Sequence, residues 1–288
     1  MTQQGEQVMD EPVRANNMGR LLLDMGKLTP EGAEQVLRLA KEKNMRFGEA
    51  AVRLGLVSEA DIQQVLAHQF DYPYLHHDQG RYSHELVAAF QPFSSHVETL
   101  RACRSQLMLR WFSDHRKSLT VMCVNAGDGA SFIAANLAVV FSQLGEHTLL
   151  VDANLRNPRQ QDIFHLQEKR GLSDILAGRA GLDVITKAEY FVDLSILAAG
   201  TLPPNPQELL SRSSFSDLSK TLALRYDVIL YDVASSATAA DVLAVSACTE
   251  GVLLVARKNR TRISDIRNFA EQLERNGIEL VGSLMVDF

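Results

Sequence analysis

Three places in this 288-residue chain carry residues of the right type and spacing for phosphate chemistry. The first is the loop Asn125-Ala126-Gly127-Asp128-Gly129-Ala130-Ser131, between the apolar run Val121–Val124 and the helical pattern Ser131–Leu144. Glycines in such a turn let backbone N–H groups converge on a phosphate, and the helix start adds partial positive charge. The others are Asp152, which closes Leu149-Leu150-Val151, and Asp232, which closes Val228-Ile229-Leu230-Tyr231. Acids at strand ends beside a loop hydroxyl hold Mg²⁺, directly or through water. The pattern assigns Gly127, Asp128, Gly129, Ala130, Ser131 and Phe132 to nucleotide contact. It assigns Ser131, Asp152 and Asp232 to Mg²⁺, and the two acids also to catalysis. One Asp after one strand is commonly a turn or a cap; a glycine loop followed by two strand-end acids is a constellation.

A phosphate loop that transfers phosphate also carries a lysine just before its hydroxyl residue. That position is Ala130. A unit charge about 4 Å from another is worth roughly 4 kcal/mol at an effective dielectric of 20. On that scale the loss slows transfer about a thousandfold. Backbone N–H groups and Ser131 remain, so anion binding can outlast transfer.

Positioning these residues takes a sheet. Strands are expected at Leu119–Val124, Thr148–Val151, Leu194–Ala198, Val228–Tyr231, Val252–Ala256 and Val281–Val286. They are short apolar runs, as strands buried on both faces should be. Helical stretches alternate with them, among them Glu98–Phe112, Phe215–Leu224 and Ser264–Asn276. Alternation predicts an α/β fold, a mainly parallel sheet with helices on both faces. Ligands of such sheets bind beyond the carboxyl ends of the strands, where the loop and both acids lie.

The net charge of −6 and pI of about 5.8 argue against a nucleic-acid partner. Cys103, Cys123 and Cys248 have no metal-ligand or C-x-x-C spacing and read as reduced core thiols. The polar N-terminus is no signal peptide, and the uncharged run Ala130–Gly145 is too short and too polar to span a bilayer.

Upstream lies an internal repeat. Gly19-Arg20-Leu21-Leu22-Leu23-Asp24-Met25-Gly26-Lys27-Leu28 and Gly48-Glu49-Ala50-Ala51-Val52-Arg53-Leu54-Gly55-Leu56-Val57 share one pattern, and Gln35-Val36-Leu37 matches Gln64-Val65-Leu66. Each copy reads as a helix, a glycine stop and a second helix opened by Thr29-Pro30 or Ser58-Glu59. The expected organisation is a flexible leader at 1–14, a small all-α domain at 15–76, a linker at 77–95 and the α/β domain at 96–288. The helical domain resembles the N-terminal module of type II secretion and type IV pilus ATPases, which in some relatives binds cyclic di-GMP. The resemblance assigns that ligand to Arg46, Gly48, Gly55 and Gln69; the first copy has Asn17 and Ala40 where the second has Arg46 and Gln69. Protein docking is the competing role.

The α/β domain resembles the cytoplasmic domain of bacterial tyrosine kinases, which are related to the ParA/MinD ATPases and have a P-loop NTPase-like fold. The residues that carry the resemblance are Asn136-Leu137-Ala138 after the loop and Asp152-Ala153-Asn154-Leu155-Arg156-Asn157-Pro158. Gly171–Gly178 and Ala199-Gly200-Thr201-Leu202-Pro203-Pro204-Asn205-Pro206-Gln207-Glu208-Leu209-Leu210 extend it. It implies ATP or ADP with Mg²⁺ as cofactors and homo-oligomeric rings through Glu98, Arg101 and Arg104. It also implies a membrane-embedded polysaccharide chain-length (co-polymerase) partner, and a cytoplasmic protein recruited to the membrane by it. The sequence departs from the family at Ala130, at Asn154 in place of a second-motif Asp, at Val233-Ala234 in the third motif, and at Val286 in place of an Asn beside the adenine. It also lacks a C-terminal tyrosine cluster, Tyr231 being the last tyrosine. The expected function is therefore a degenerate kinase relative acting as scaffold or nucleotide sensor in exopolysaccharide export. An active tyrosine autokinase and a ParA/MinD-like switch are the alternatives.

Overall fold

The computed structural model describes residues 12–59, 61–62, 65–66, 75, 81–113, 115–233, 235 and 239–287, with side chains from 18 onward. The chain divides into two compact units, Met1–Tyr72 and Pro73–Phe288.

The first unit contains α1 (Pro12–Asp24), α2 (Pro30–Lys43) and α3 (Phe47–Arg53). The repeat is visible in its hydrogen bonds. Gly26 N–H donates to Leu23 and Lys27 N–H to Leu22; at the matching positions Gly55 N–H donates to Val52 and Leu56 N–H to Ala51. Both glycines have the left-handed φ that such a stop requires, +65° and +67°. Thr29 Oγ1 accepts from Gly32 N–H and Ser58 Oγ from Asp61 N–H, so both following helices are capped by their hydroxyl residues. Repeat-equivalent residues also belong to one core: Leu22 and Ala51, Leu28 and Val57, Val36 and Val65. A Cβ on Gly19 would lie 3.2 Å from Phe47, and one on Gly48 3.3 Å from Met18. Each copy thus seats its glycine under the residue preceding the other's, a pseudo-twofold pairing.

The second unit is a seven-stranded sheet, β1 (Ser118–Cys123), β2 (Thr148–Asp152), β3 (Thr186–Lys187), β4 (Leu194–Leu197), β5 (Val228–Asp232), β6 (Gly251–Arg257) and β7 (Glu279–Val286), in the order β3-β4-β2-β5-β1-β6-β7. All neighbours are parallel except β3–β4. Successive side chains alternate faces. Leu119, Val121, Leu150 and Leu230 join one apolar cluster; Met122, Leu149, Val151 and Tyr231 join the other. β1, β2 and β5 are buried along their whole length, as the continuous apolar runs predict.

Nine α-helices accompany the sheet among the described residues: α4 (Val87–Phe90), α5 (Ser95–Arg110), α6 (Ala130–Ser142), α7 (Gln160–Ile163), α8 (Leu172–Leu176), α9 (Pro206–Leu210), α10 (Ser213–Ala223), α11 (Ala239–Thr249) and α12 (Ile263–Arg275). α6 packs on β1, β2 and β5 and is covered outside by α4 and α5, which explains why it is apolar all round.

The expected linker at 77–95 needs correction. Its described part, from residue 81 on, is core: Tyr82, Leu86, Ala88, Ala89 and Phe90 are buried in the cluster that holds α6. Burying side chains such as Leu and Phe stabilises by about 1.5–3 kcal/mol each. Asn136, fully buried on α6, fastens the segment: its Oδ1 accepts from Ala88 N–H at 2.8 Å, and its Nδ2 donates to Glu85 O at 2.9 Å. The expected leader lies mostly outside the described residues, and α1 begins at Pro12.

At the base of α5 the chain's single tryptophan, Trp111, is 2% exposed. Its indole N–H donates to Ser118 O at 2.9 Å, Arg116 stands 4.5 Å above its ring, and a Cβ on Gly251 would fall 2.2 Å from it. Only glycine fits that position on β6. No helix among the described residues is long and apolar enough to cross a membrane.

Candidate nucleotide site

The loop after β1 and the ends of β2 and β5 come together as their positions in the strands require. Asp152 and Asp232 are directly paired across β2 and β5, and Val121 of β1 pairs with Asp232. Gly127 and Gly129 take φ of +82° and +97°, turning the chain from strand into α6. The first-turn N–H groups of α6 have no acceptor within the helix, so they face any anion at the loop.

A cavity of about 1000 Å³ opens at this point. Gly127, Gly129, Ala130, Ser131 and Phe132 all line it. Its far wall comes from the start of α5, at His96, Thr99 and Leu100, and from the end of β7. Ala130, Asn154, Val233 and Val286, expected from the sequence to depart from the resembled kinase motifs, line this same cavity.

Asp128 is placed otherwise. Its carboxylate is fully buried and does not line the cavity. It accepts from Asn125 N–H at 3.2 Å, Asn125 Nδ2 at 3.1 Å and Thr261 Oγ1 at 2.7 Å, and lies 3.5 Å from Arg260 Nε. It staples the loop to the turn after β6. Asn154 closes its own turn, its Oδ1 accepting from Asn157 N–H and its Nδ2 donating to Asn157 O.

Asp152 and Asp232 are fully buried, and neither lines the cavity, although their chain neighbours Asn154 and Val233 do. Asp152 accepts from the backbone N–H groups of Asn154, Arg159 and Gln160 at 3.1, 2.9 and 2.9 Å. Asp232 Oδ2 accepts from Gln160 Nε2 at 2.7 Å, and the same amide reaches Ser131 O at 3.1 Å. Burial pushes both acids above the ordinary carboxylate range, and the proximity of Asp232 adds to the rise at Asp152. At Asp232 the hydrogen bonds of Gln160 and Ser131 and the charge of Arg159 pull the other way. Asp232 Oδ1 and Gln160 Oε1 are buried acceptors without a hydrogen-bond partner. Unsatisfied oxygens beside Ser131 are the donor set a hard cation takes, so these residues fit Mg²⁺.

Gln160 and Arg159 were not foreseen from the sequence. They follow Pro158 at the start of the four-residue α7, too short for a periodic signal. The blocks Gly171–Gly178 and Ala199–Leu210 meet each other, not the cavity. Leu172 and Ser173 N–H donate to Ala198 and Ala199, and Asp174 Oδ2 accepts from Gly171 and Thr201 N–H. Of the expected ring residues, Glu98 and Arg101 form an ion pair, while Arg104 donates to Val140 O on α6 at 2.7 Å. In the first unit Arg46 is exposed ahead of α3, Gly48 packs against Met18 and Ile62, and Gly55 makes the turn. Packing and turn geometry account for both glycines; Gln69 lies outside the described residues.

A parallel sheet with a glycine loop opening a helix, and two acids on adjoining strand ends, defines a P-loop-type α/β protein. Residues 116–281 match the family model described as "Cellulose biosynthesis protein BcsQ". The tyrosine-protein kinase YwqD of Bacillus subtilis is 30% identical over 206 residues, 72% of this chain and 87% of that protein. The chain belongs, through its second unit, to the bacterial tyrosine kinase family. The kinase domain of the Escherichia coli tyrosine kinase ETK superposes with a TM-score of 0.69 at 26% identity, over 74% of this chain and 84% of that one. The septum site-determining protein MinD of Pyrococcus horikoshii, solved with Mg-ADP, shares the fold at a TM-score of 0.52 and 22% identity, over 59% of this chain and 69% of that one.

Proposed function

We propose that this chain is a nucleotide-binding member of its family with weak or no phosphotransfer, acting as a regulator or scaffold in exopolysaccharide chain-length control and export. The observation that carries this reading is the clustering of Ala130, Asn154, Val233 and Val286 on one cavity whose backbone cradle is intact. ADP or ATP with Mg²⁺ is the ligand, held by the backbone of Gly127–Phe132, with Ser131 and Asp232 nearest the cation. The partner is a membrane-embedded polysaccharide co-polymerase, and Glu98 on the exposed side of α5 is available for contacts between copies. The description of the matched family as a cellulose biosynthesis protein favours a polysaccharide pathway.

Calorimetry with ADP and Mg²⁺ together with a phosphotyrosine immunoblot tests this. Binding in the micromolar range and no ATP-dependent phosphotyrosine is the expected pair of results. An ATP- and Mg²⁺-dependent signal that vanishes in Asp232→Ala would instead establish an active autokinase.

A further inference from the structure

The loop has no lysine, so a phosphate chain bound there needs another cation. Three arginines stand near it. Arg156 is clamped on the buried carboxylate of Asp241, with Nε and NH2 at 2.6 and 3.2 Å from its two oxygens. Its fork is already occupied. Arg260 donates to Ala126 O at 3.1 Å and lies beside Asp128, but it does not line the cavity.

Arg159 differs from both. It lines the cavity together with Ala130 and Ser131. Its backbone is fixed, because its N–H donates to Asp152 Oδ2. Its guanidinium donates to Glu85 Oε1 at 2.7 Å, and both side chains are 44% exposed. Exposed ion pairs contribute little to stability, whereas a guanidinium on phosphate makes paired, charge-assisted hydrogen bonds. A phosphate group is therefore the stronger partner for Arg159. Glu85 also lines the cavity and is held in register by Asn136 Nδ2 on its carbonyl.

We propose that Arg159 is the phosphate-binding cation of this site, replacing the lysine absent at Ala130, and that Glu85 is its exchangeable counter-ion until a nucleoside di- or triphosphate displaces it. The proposal rests on the nucleotide-binding reading above.

Glu85 and the nucleotide then compete for one guanidinium, which gives the two side chains opposite effects. The test is calorimetric titration of the full chain with ADP and Mg²⁺, in wild type, Arg159→Gln, Arg159→Lys, Glu85→Gln, Ala130→Lys and the double variant Ala130→Lys/Arg159→Gln. Thermal unfolding of each variant checks that it is folded. Arg159→Gln is expected to weaken binding at least about tenfold and Arg159→Lys less, since the charge stays and the fork is lost. Glu85→Gln is expected to tighten it about two- to fivefold, by removing the competitor. In the Ala130→Lys background the loss from Arg159→Gln should largely disappear. Equal losses in both backgrounds, or no loss in either, would overturn the assignment of Arg159 while nucleotide binding stands. Wild type that binds no ADP, with Ala130→Lys binding it, would overturn the nucleotide reading and this assignment together.

Discussion

Asp232 is the residue on which the site's electrostatics turn. It is fully buried, faces Asp152 across the sheet and holds one unpartnered oxygen. No lysine at position 130 offsets the two charges. Both acids hold their protons more tightly in the fold than in the unfolded chain. The pair therefore stabilises the fold most at pH values below the ordinary carboxylate range, and that contribution is lost as pH rises through the elevated folded values. Asp232→Asn removes one of the two ionisations. Its unfolding free energy, measured in urea between about pH 5 and about pH 8, should fall less steeply with pH than that of wild type. Identical slopes would show that the two acids do not share a buried field. The same substitution should weaken Mg²⁺-dependent nucleotide binding, so stability at the alkaline end and binding move in opposite directions. The loop and both acids were legible in the sequence because strand ends mark them. Gln160, which bridges Ser131 and Asp232, was not, because nothing local distinguishes it from any polar residue opening a one-turn helix.

At the scale of elements, α6 organises the second unit. It carries the loop at one end, rests on the sheet and is roofed by α4 and α5. The strands and long helices could be read from periodicity, whereas α4 could not: four residues are too few for a period. What fixes α4 in the apolar cluster is distant in sequence: Asn136, 48 positions away from Ala88. Polar punctuation in 77–95 therefore gave the appearance of a linker to a segment that is core. The two-residue β3, antiparallel at the sheet edge, escaped notice for the same reason of length. Asn136→Ala leaves a buried N–H at Ala88 and a carbonyl at Glu85 without their partner, at a cost of about 2–4 kcal/mol. Urea denaturation should show that loss. A change below about 0.5 kcal/mol would mean that the roof is held by apolar contact alone.

At the scale of the molecule, two units of different construction share one chain. The first is built from a duplicated pattern whose copies interlock through Gly19 under Phe47 and Gly48 under Met18. The second draws both of its apolar clusters from residues 75 to 286. A chain beginning at Pro73 should therefore fold on its own, with a single cooperative transition and unchanged ADP affinity. Aggregation of that fragment, or loss of ADP binding, would show that the first unit completes the second. The repeat was legible because duplication copies caps, stops and core positions together. What it binds is not written in Gly48 and Gly55, whose places follow from packing and turn geometry.

The seat of Trp111 has an optical consequence. Excited at the red edge of protein absorption, the chain emits from one indole only, and the first unit contributes none of that light. That indole is sealed from water, bonded through its N–H and shadowed by a guanidinium. Its colour and lifetime thus report the joint between α5 and the start of β6 at Gly251, without any label. Opening of the second unit in denaturant can be followed from within the unmodified protein.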